Sequence, residues 1–323
     1  MKSVQLTDVG DPSSVYRLHE LPDIDSNDIA ADEVLVDIDY APINHNDLML
    51  ARVPGLITHF PAQVGNEGTG VVAALGKDVT SVAVGQRVLL PHSSGTWRQQ
   101  IAVQASNLVI VPPEIDPQQA AMLTINAATA EFLLRDYGLL QPGDAVVFNA
   151  ATSGLARWLL ALASKRDVRT IGIVRRADDI AALEALGCDV VIDVNDGAQA
   201  ALERVTDLNI ALALDLLGGE SSRLLAKLLA PGGVLVTYGN VTGDPLAVDT
   251  LDIVSKDLTI RGFYQAYPRY FADTPRVVEH TILPILATTE VVQPVAAVYP
   301  LRELSSAIEH AASGARVLLD LRR

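Results

Sequence analysis

A single cysteine, Cys188, is the entire thiol complement of the 323 residues, so the chain can form no internal disulfide and no multi-thiolate metal site. Near the end of a helical window it reads as a small buried residue. Cations are also scarce. The 24 Lys and Arg stand against 39 Asp and Glu, a net charge of −15. Phosphate backbones and anionic lipid are held by clustered cations, so neither nucleic acid nor a membrane surface is an expected partner. Long apolar runs are missing as well: the longest, 155–163, contains Arg157 and is far too short to span a bilayer. The first ten residues include Asp8 and no basic stretch leading into an apolar one, so no secretory signal is expected. These absences lead to the expectation of a soluble, cytoplasmic protein.

What is present is ample apolar material, 49% of the residues with a mean hydropathy of +0.27. A chain this long exceeds what one core supports, so two domains of ~150 residues with an internal cleft are expected. Residues 33–41 and 70–75 are β-like, and Gly, Pro and Asn punctuate 42–46 and 54–68, so the first half is β-rich and irregular. From about Met122 the pattern changes. Short Val/Ile/Leu runs at 145–149, 170–174, 190–194, 210–214 and 234–238 alternate with helical windows. Near-continuous apolar strands separated by helices make a parallel sheet covered on both faces. The fold class is therefore α/β, a Rossmann doubly wound parallel sheet with a second, β-rich domain. Past Pro294, a strand-like 295–299, a helical 301–312 and a strand-like 316–321 are too few to fold alone and are expected to rejoin the first half. The expected division is 1–122 with 288–323, and 123–287.

Gln141-Pro142-Gly143-Asp144 leads into the first of these strands, which runs on into Ala150-Ala151-Thr152-Ser153-Gly154-Leu155-Ala156 and a helix. Strand, tight turn and helix start are the setting in which free N–H groups and the helix dipole hold a pyrophosphate. The G-x-G-x-x-G positions fall on Ala151, Ser153 and Ala156, so small size is kept while the one glycine is Gly154. By itself such a turn reads equally as helix capping. The next strand, 170–174, ends in Arg175-Arg176, where NAD sites place an acid and NADP sites an arginine. NADPH is thereby favoured over NADH, the alternative being a solvated pair neutralised by Asp178 and Asp179. Asp215-Leu216-Leu217-Gly218-Gly219 and Tyr238-Gly239-Asn240 each close a later strand and are expected to face the nicotinamide half, or to be turn chemistry only.

The motifs Ala41-Pro42-Ile43-Asn44-His45-Asn46-Asp47, Gly65-Asn66-Glu67-Gly68 and Val84-Gly85-Gln86-Arg87-Val88 resemble the quinone oxidoreductase-like branch of the medium-chain dehydrogenase/reductase family. Gly95-Thr96-Trp97-Arg98, Asn126, Asn149 to Gly154 and Asp257-Leu258-Thr259-Ile260-Arg261-Gly262-Phe263 are most similar to trans-2-enoyl thioester reductases within it. The likeness covers nearly the whole chain. It implies a GroES-like catalytic domain beside the Rossmann domain. In zinc alcohol dehydrogenases of this family a Cys lies near the position of His45 and Asn46 and a His in the segment matched by 65–68. Here Asn66 stands in that segment and no Cys is near, so the resemblance implies a zinc-independent enzyme.

Hydride delivery from NADPH to an activated C=C bond, in an enone or 2-enoyl thioester, is the implied chemistry, since such acceptors spread the incoming charge onto oxygen. A quinone acceptor and a non-catalytic NADPH-binding redox sensor are the alternatives. The resemblance assigns Asn126, Thr152, Ser153, Gly154, Leu155, Arg175, Arg176, Tyr238, Gly239, Asn240, Val241, Phe263, Tyr264, Gln265 and Arg316 to NADPH. It places Asn44 beside the nicotinamide, and no metal. Relatives carry a tyrosine shortly before Gly65-Asn66-Glu67-Gly68, whereas residues 52–56 here read Arg-Val-Pro-Gly-Leu. Tyr264 is the candidate replacement. A homodimer is expected through the Rossmann domains, because Leu258-Thr259-Ile260 alternates like an edge strand.

Overall fold

The computed structural model describes residues 1–288 and 291–323. Two compact units divide the chain: Met1–Ile125 with Phe271–Arg323, and Asn126–Tyr270.

The first unit carries β1 (Lys2–Leu6), β2 (Tyr16–Glu20), β3 (Glu33–Ile43), β4 (Ala62–Gln63), β5 (Thr69–Leu75), β6 (Arg87–Leu89), β7 (Gln100–Gln104) and β8 (Val109–Ile110). β3 is its spine. Its eleven residues pair antiparallel with β5 on one side and β7 along the other, so Val34, Val36 and Ile38 turn together onto the core that holds Leu48, Trp97 and Ile308. Burying each such side chain contributes ~1.5–3 kcal/mol.

The second unit holds β9 (Ala145–Phe148), β10 (Arg169–Val174), β11 (Val190–Asp193), β12 (Ile210–Asp215), β13 (Val234–Thr237) and β14 (Thr259–Gly262). All pairs are parallel, in the order β11-β10-β9-β12-β13-β14. That order reverses direction between β9 and β12. At such a switch point the two flanking crossovers leave on opposite faces, and the carboxyl ends of the strands bound a crevice. β9 is buried at every residue, as the apolar run 145–149 requires. β14 starts one residue later than the alternation at 258–260 suggests: Asp257 takes a left-handed φ of 52° to end the helix Thr250–Lys256, and the Leu258 N–H turns back to Ile253 O at 3.1 Å.

The chain then returns to the first unit. β15 (Ala297–Pro300) pairs parallel with β16 (Val317–Asp320), which lies antiparallel to β3 with Val317 opposite Ile43. The unit also takes in residues 271–287, which the sequence pattern alone attaches to the central domain. Phe271, Thr274 and Pro275 line a small cavity with Leu89, Leu90 and His92, a contact no local periodicity reveals. Among the described residues no helix is long and apolar enough to cross a membrane.

Candidate active site

The candidate site residues fall into two sets, one in each unit. In the second unit the turn after β9 is held open by its own backbone: Ala150 adopts φ 50°, a left-handed conformation that costs a residue with a Cβ and recurs at functional turns. Ser153 caps the eleven-residue helix Gly154–Ser164 by accepting from Ala156 N at 3.2 Å, and no acidic residue stands in its first turn to compete with an anion. The small residues are explained by β10 passing close by. A Cβ on Gly172 would sit 3.0 Å from Ala151 Cβ, so bulk at either position would push strand and turn apart.

The two strands at the switch point are tied side chain to side chain. Asn149 donates from Nδ2 to Asp215 Oδ1 at 2.6 Å and to Ser221 Oγ at 3.0 Å, and accepts at Oδ1 from Leu216 N at 2.8 Å. Asp215, fully buried, also accepts from Gly218 N at 3.1 Å and Ser222 Oγ at 2.8 Å. Every oxygen of this carboxylate is used, which is how a buried charge is tolerated.

Arg175 and Arg176 at the end of β10 are both exposed but not equivalent. Arg176 forms an ion pair with Asp179 at 2.7 Å, while Arg175 has no ion pair among the described residues. The arrangement fits a dinucleotide: an anion-accepting helix start, an open turn and a cation, not an acid, at the end of the adjacent strand. Of the other expected cofactor residues, Thr152, Asn240 and Val241 are exposed, and Asn126, Tyr238 and Gly239 are half-buried. Phe263 is packed into an aromatic group with Phe132, Tyr137 and Tyr270. Gln265 is buried and accepts from Thr129 Oγ1 at 3.1 Å, whereas Tyr264 is 64% exposed with the Tyr267 ring edge-on to it.

In the first unit Asn44 precedes the helix His45–Arg52, and its surroundings are a buried polar network that motif reading does not reveal. The Asn44 N–H donates to Asp47 Oδ2 at 2.8 Å, and its side-chain Nδ2 donates to Glu67 Oε1 at 2.8 Å. Glu67 Oε2 accepts from Ile125 N at 2.9 Å and from Thr124 Oγ1 at 3.2 Å. Both donors lie in Leu123–Ala127, a turn of π-helix, a form often found at functional sites. Asn66 donates to Asp47 Oδ1 at 2.7 Å and accepts from Ser93 Oγ at 2.9 Å, and His92 Nδ1 lies 3.1 Å from that hydroxyl. Gly65 presents this segment: at φ 100°, with Trp97 Cδ1 2.5 Å from where a Cβ would be, no other residue fits.

Asp47 and Glu67 are both 0% exposed, and burial pushes each carboxyl up to about 7, opposed at Glu67 first by the hydrogen bonds from Asn44, Ile125 and Thr124 and then by the charge of Arg316. A carboxyl whose folded-state value is raised adds stability below its unfolded value, and that stability is lost as pH rises from about 4.5 through about 7. Glu67→Gln removes this titration. Its stability relative to wild type should therefore rise between pH 5 and pH 8, by on the order of 1–3 kcal/mol, read from denaturation midpoints at both pH values. A pH-independent difference would contradict the assignment. His92, which burial pulls down to about 4, titrates with the opposite sign but is common to both proteins and cancels.

The donor set at Asn66 does not fit zinc. Its amide is committed to Asp47 and Ser93, the lone thiol lies in the other unit, and among the described residues no cluster of three His, Cys, Asp or Glu side chains is suited to a metal.

Known proteins place this architecture. Residues 30–113 match the family described as alcohol dehydrogenase GroES-like domain, and 154–280 match that described as zinc-binding dehydrogenase. The mitochondrial enoyl-[acyl-carrier-protein] reductase of Homo sapiens is 33% identical over 310 residues, covering 93% of this chain and 82% of that protein. Among solved structures, a mitochondrial 2-enoyl thioester reductase heterodimer from Candida tropicalis superimposes with a TM-score of 0.85 at 22% identity, covering 99% of both chains. The Escherichia coli quinone oxidoreductase complexed with NADPH gives 0.86, also at 22% identity, over 99% of this chain and 100% of that one. With these two domains in this order and a relative one-third identical over 93% of this chain, the chain belongs to the medium-chain dehydrogenase/reductase family, among its enoyl thioester reductase-like members.

Proposed function

We propose that the protein reduces an activated C=C bond, in an enone or a 2-enoyl thioester, with NADPH and without a metal. The observation that carries this reading is the site in which β10 ends in Arg175, with no ion pair among the described residues, near the helix start that follows β9. The kinship with enoyl reductases supplies the acceptor class. Bound NADPH supplies a hydride from its nicotinamide C4. The chain's own residues do the rest. Thr152, Ser153, Gly154 and Leu155 seat the pyrophosphate, and Arg175 pairs with the 2′-phosphate. Asn126, Tyr238 to Val241, Phe263 to Gln265 and Arg316 complete the cofactor contacts. Asn44, whose amide has two N–H donors and gives one to Glu67, directs the other at the acceptor's carbonyl oxygen as negative charge develops there. Tyr264 hands a proton to the α-carbon, which balances the addition across the double bond. The first unit is thus the catalytic domain and the second the NADPH-binding domain.

A quinone acceptor is the second reading, favoured by one feature. The stretch 52–56 lacks the tyrosine found in the thioester reductases, and a quinone, reduced at oxygen, needs no proton delivered to carbon. An acceptor screen following NADPH absorbance, run on chelator-treated enzyme with zinc measured, separates these. Turnover of an enoyl thioester or enone supports the first reading, turnover of quinones alone the second. Failure with all three would leave a cofactor-binding protein, and activity lost on chelation would refute metal independence.

The reading includes a homodimer in the cytoplasm. β14 is a sheet edge with all four residues exposed, and Ile260 there, with Leu251 at 76% and Val254 at 73% exposure on the preceding helix, offers an apolar border. An unprotected edge of this kind pairs readily with a second copy. Cys188, buried and unpaired, suits a reducing compartment. Sedimentation at micromolar concentration should give twice 34.4 kDa. A single species at the monomer mass would refute the assembly.

A further inference from the structure

Two fully buried carboxyls are spent on one half-buried asparagine: Asp47 holds the Asn44 backbone N–H and Glu67 its side-chain amide. Asp47, at the third helical position, accepts from the Asn44 N–H as an ordinary capping box does. What remains to be explained is Glu67, because burying an ionised carboxyl costs several kcal/mol before its hydrogen bonds are counted and a helix start does not require a second carboxyl on the cap's side chain. Glu67 is not equivalent to its amide. Its donors stand at both ends, Asn44 Nδ2 on Oε1 and the π-helical Ile125 N–H and Thr124 hydroxyl on Oε2. The ionised carboxylate accepts at both ends at once, whereas a glutamine that keeps its oxygen on the Ile125 N–H turns an NH₂ donor toward Asn44 and favours the opposite orientation of that amide.

The consequence falls on Asn44. A primary amide on a loop can turn over and exchange donor for acceptor, but here the carboxylate accepts from Nδ2 and so selects one of the two orientations. The charged and titratable groups around this carboxylate are Arg316, which stabilises its ionised form, and Asp47, whose backbone carbonyl accepts from the Tyr16 hydroxyl and whose side chain leads through Asn66 and Ser93 to His92.

We propose that Glu67 is a positioning residue for the reduction: its carboxylate, anchored at its far end by the π-helix Leu123–Ala127, locks the Asn44 amide in one orientation and so presents its remaining N–H to the acceptor's oxygen. This rests on the role given to Asn44 above. It makes the π-helix part of the catalytic geometry although it touches neither reacting atom.

Glu67→Gln should lower kcat about tenfold or more while NADPH affinity stays within about twofold. In an Asn44→Ala background the same substitution should have no further effect on kcat, because its route of action is gone. Multiplying losses in the double variant, or an unchanged kcat in the single one, would overturn the proposal. A readout independent of turnover is the pair of Asn44 side-chain N–H signals in a ¹⁵N–¹H spectrum, assigned by their loss in Asn44→Ala. They should move in Glu67→Gln, and unmoved signals refute the lock even if the wild type proves active. If the wild type reduces nothing, the proposed function fails, and the spectrum alone decides whether Glu67 orients Asn44. Should Glu67→Gln not fold, Glu67→Asp keeps the charge but shortens the reach to Asn44. Wild-type kcat and unmoved Asn44 signals in that variant would equally overturn the proposal.

Discussion

Replacing Asn44 by alanine is expected to lower kcat by about 10²–10³-fold, the range measured when one preorganised donor to a developing oxyanion is removed. Hydride addition to an enoyl or enone acceptor moves negative charge to oxygen, and in the metal-free reduction proposed above a fixed N–H dipole would stabilise it. Asn44 qualifies because both its backbone and its side chain are held, by Asp47 and Glu67, so little reorganisation is needed as charge develops. The loss should appear in kcat and not in the NADPH dissociation constant, since the interaction strengthens only in the transition state. Steady-state kinetics with the best acceptor and a fluorescence titration of NADPH measure the two quantities. A variant that keeps its kcat would remove Asn44 from the chemistry.

Arg175→Ala should weaken NADPH binding by ~1.5–3 kcal/mol, roughly 10- to 150-fold, and leave NADH unchanged. Loss of a guanidinium from a 2′-phosphate removes a bond between opposite charges, and NADH has no group there to lose. The structure sharpens the expectation from the sequence, which treats the two arginines alike. Arg176 is 73% exposed at its side chain and already shared with Asp179, so Arg176→Ala should have much the smaller effect. Titrations of wild type and both variants with each cofactor test this. Equal wild-type affinity for NADPH and NADH would sink the assignment of the 2′-phosphate site, and a larger loss in Arg176→Ala would move it to the neighbouring side chain.

Strand periodicity, turn residues and composition suffice for the parallel sheet at 145–262 and for the β-rich first half, because apolar alternation and Gly/Pro punctuation are local signals of backbone period and burial. They suffice too to place a tight turn and helix start after β9 and two arginines after β10, which occupy a fixed place in a βαβ unit. Other features lie beyond local pattern. Glu67 looks like one polar residue in a glycine-rich segment. It becomes a carboxylate at 0% exposure only because β3, the π-helix and the 65–68 segment converge, through bonds to partners 23, 57 and 58 residues away. The attachment of residues 271–287 to the first unit is likewise a decision of packing, not of period. What the sequence determined by itself is which segments form which elements and which chemical groups stand at their ends; the tertiary structure alone decided which of those groups lose water and acquire partners, because desolvation and hydrogen-bond pairing depend on neighbours distant in the chain.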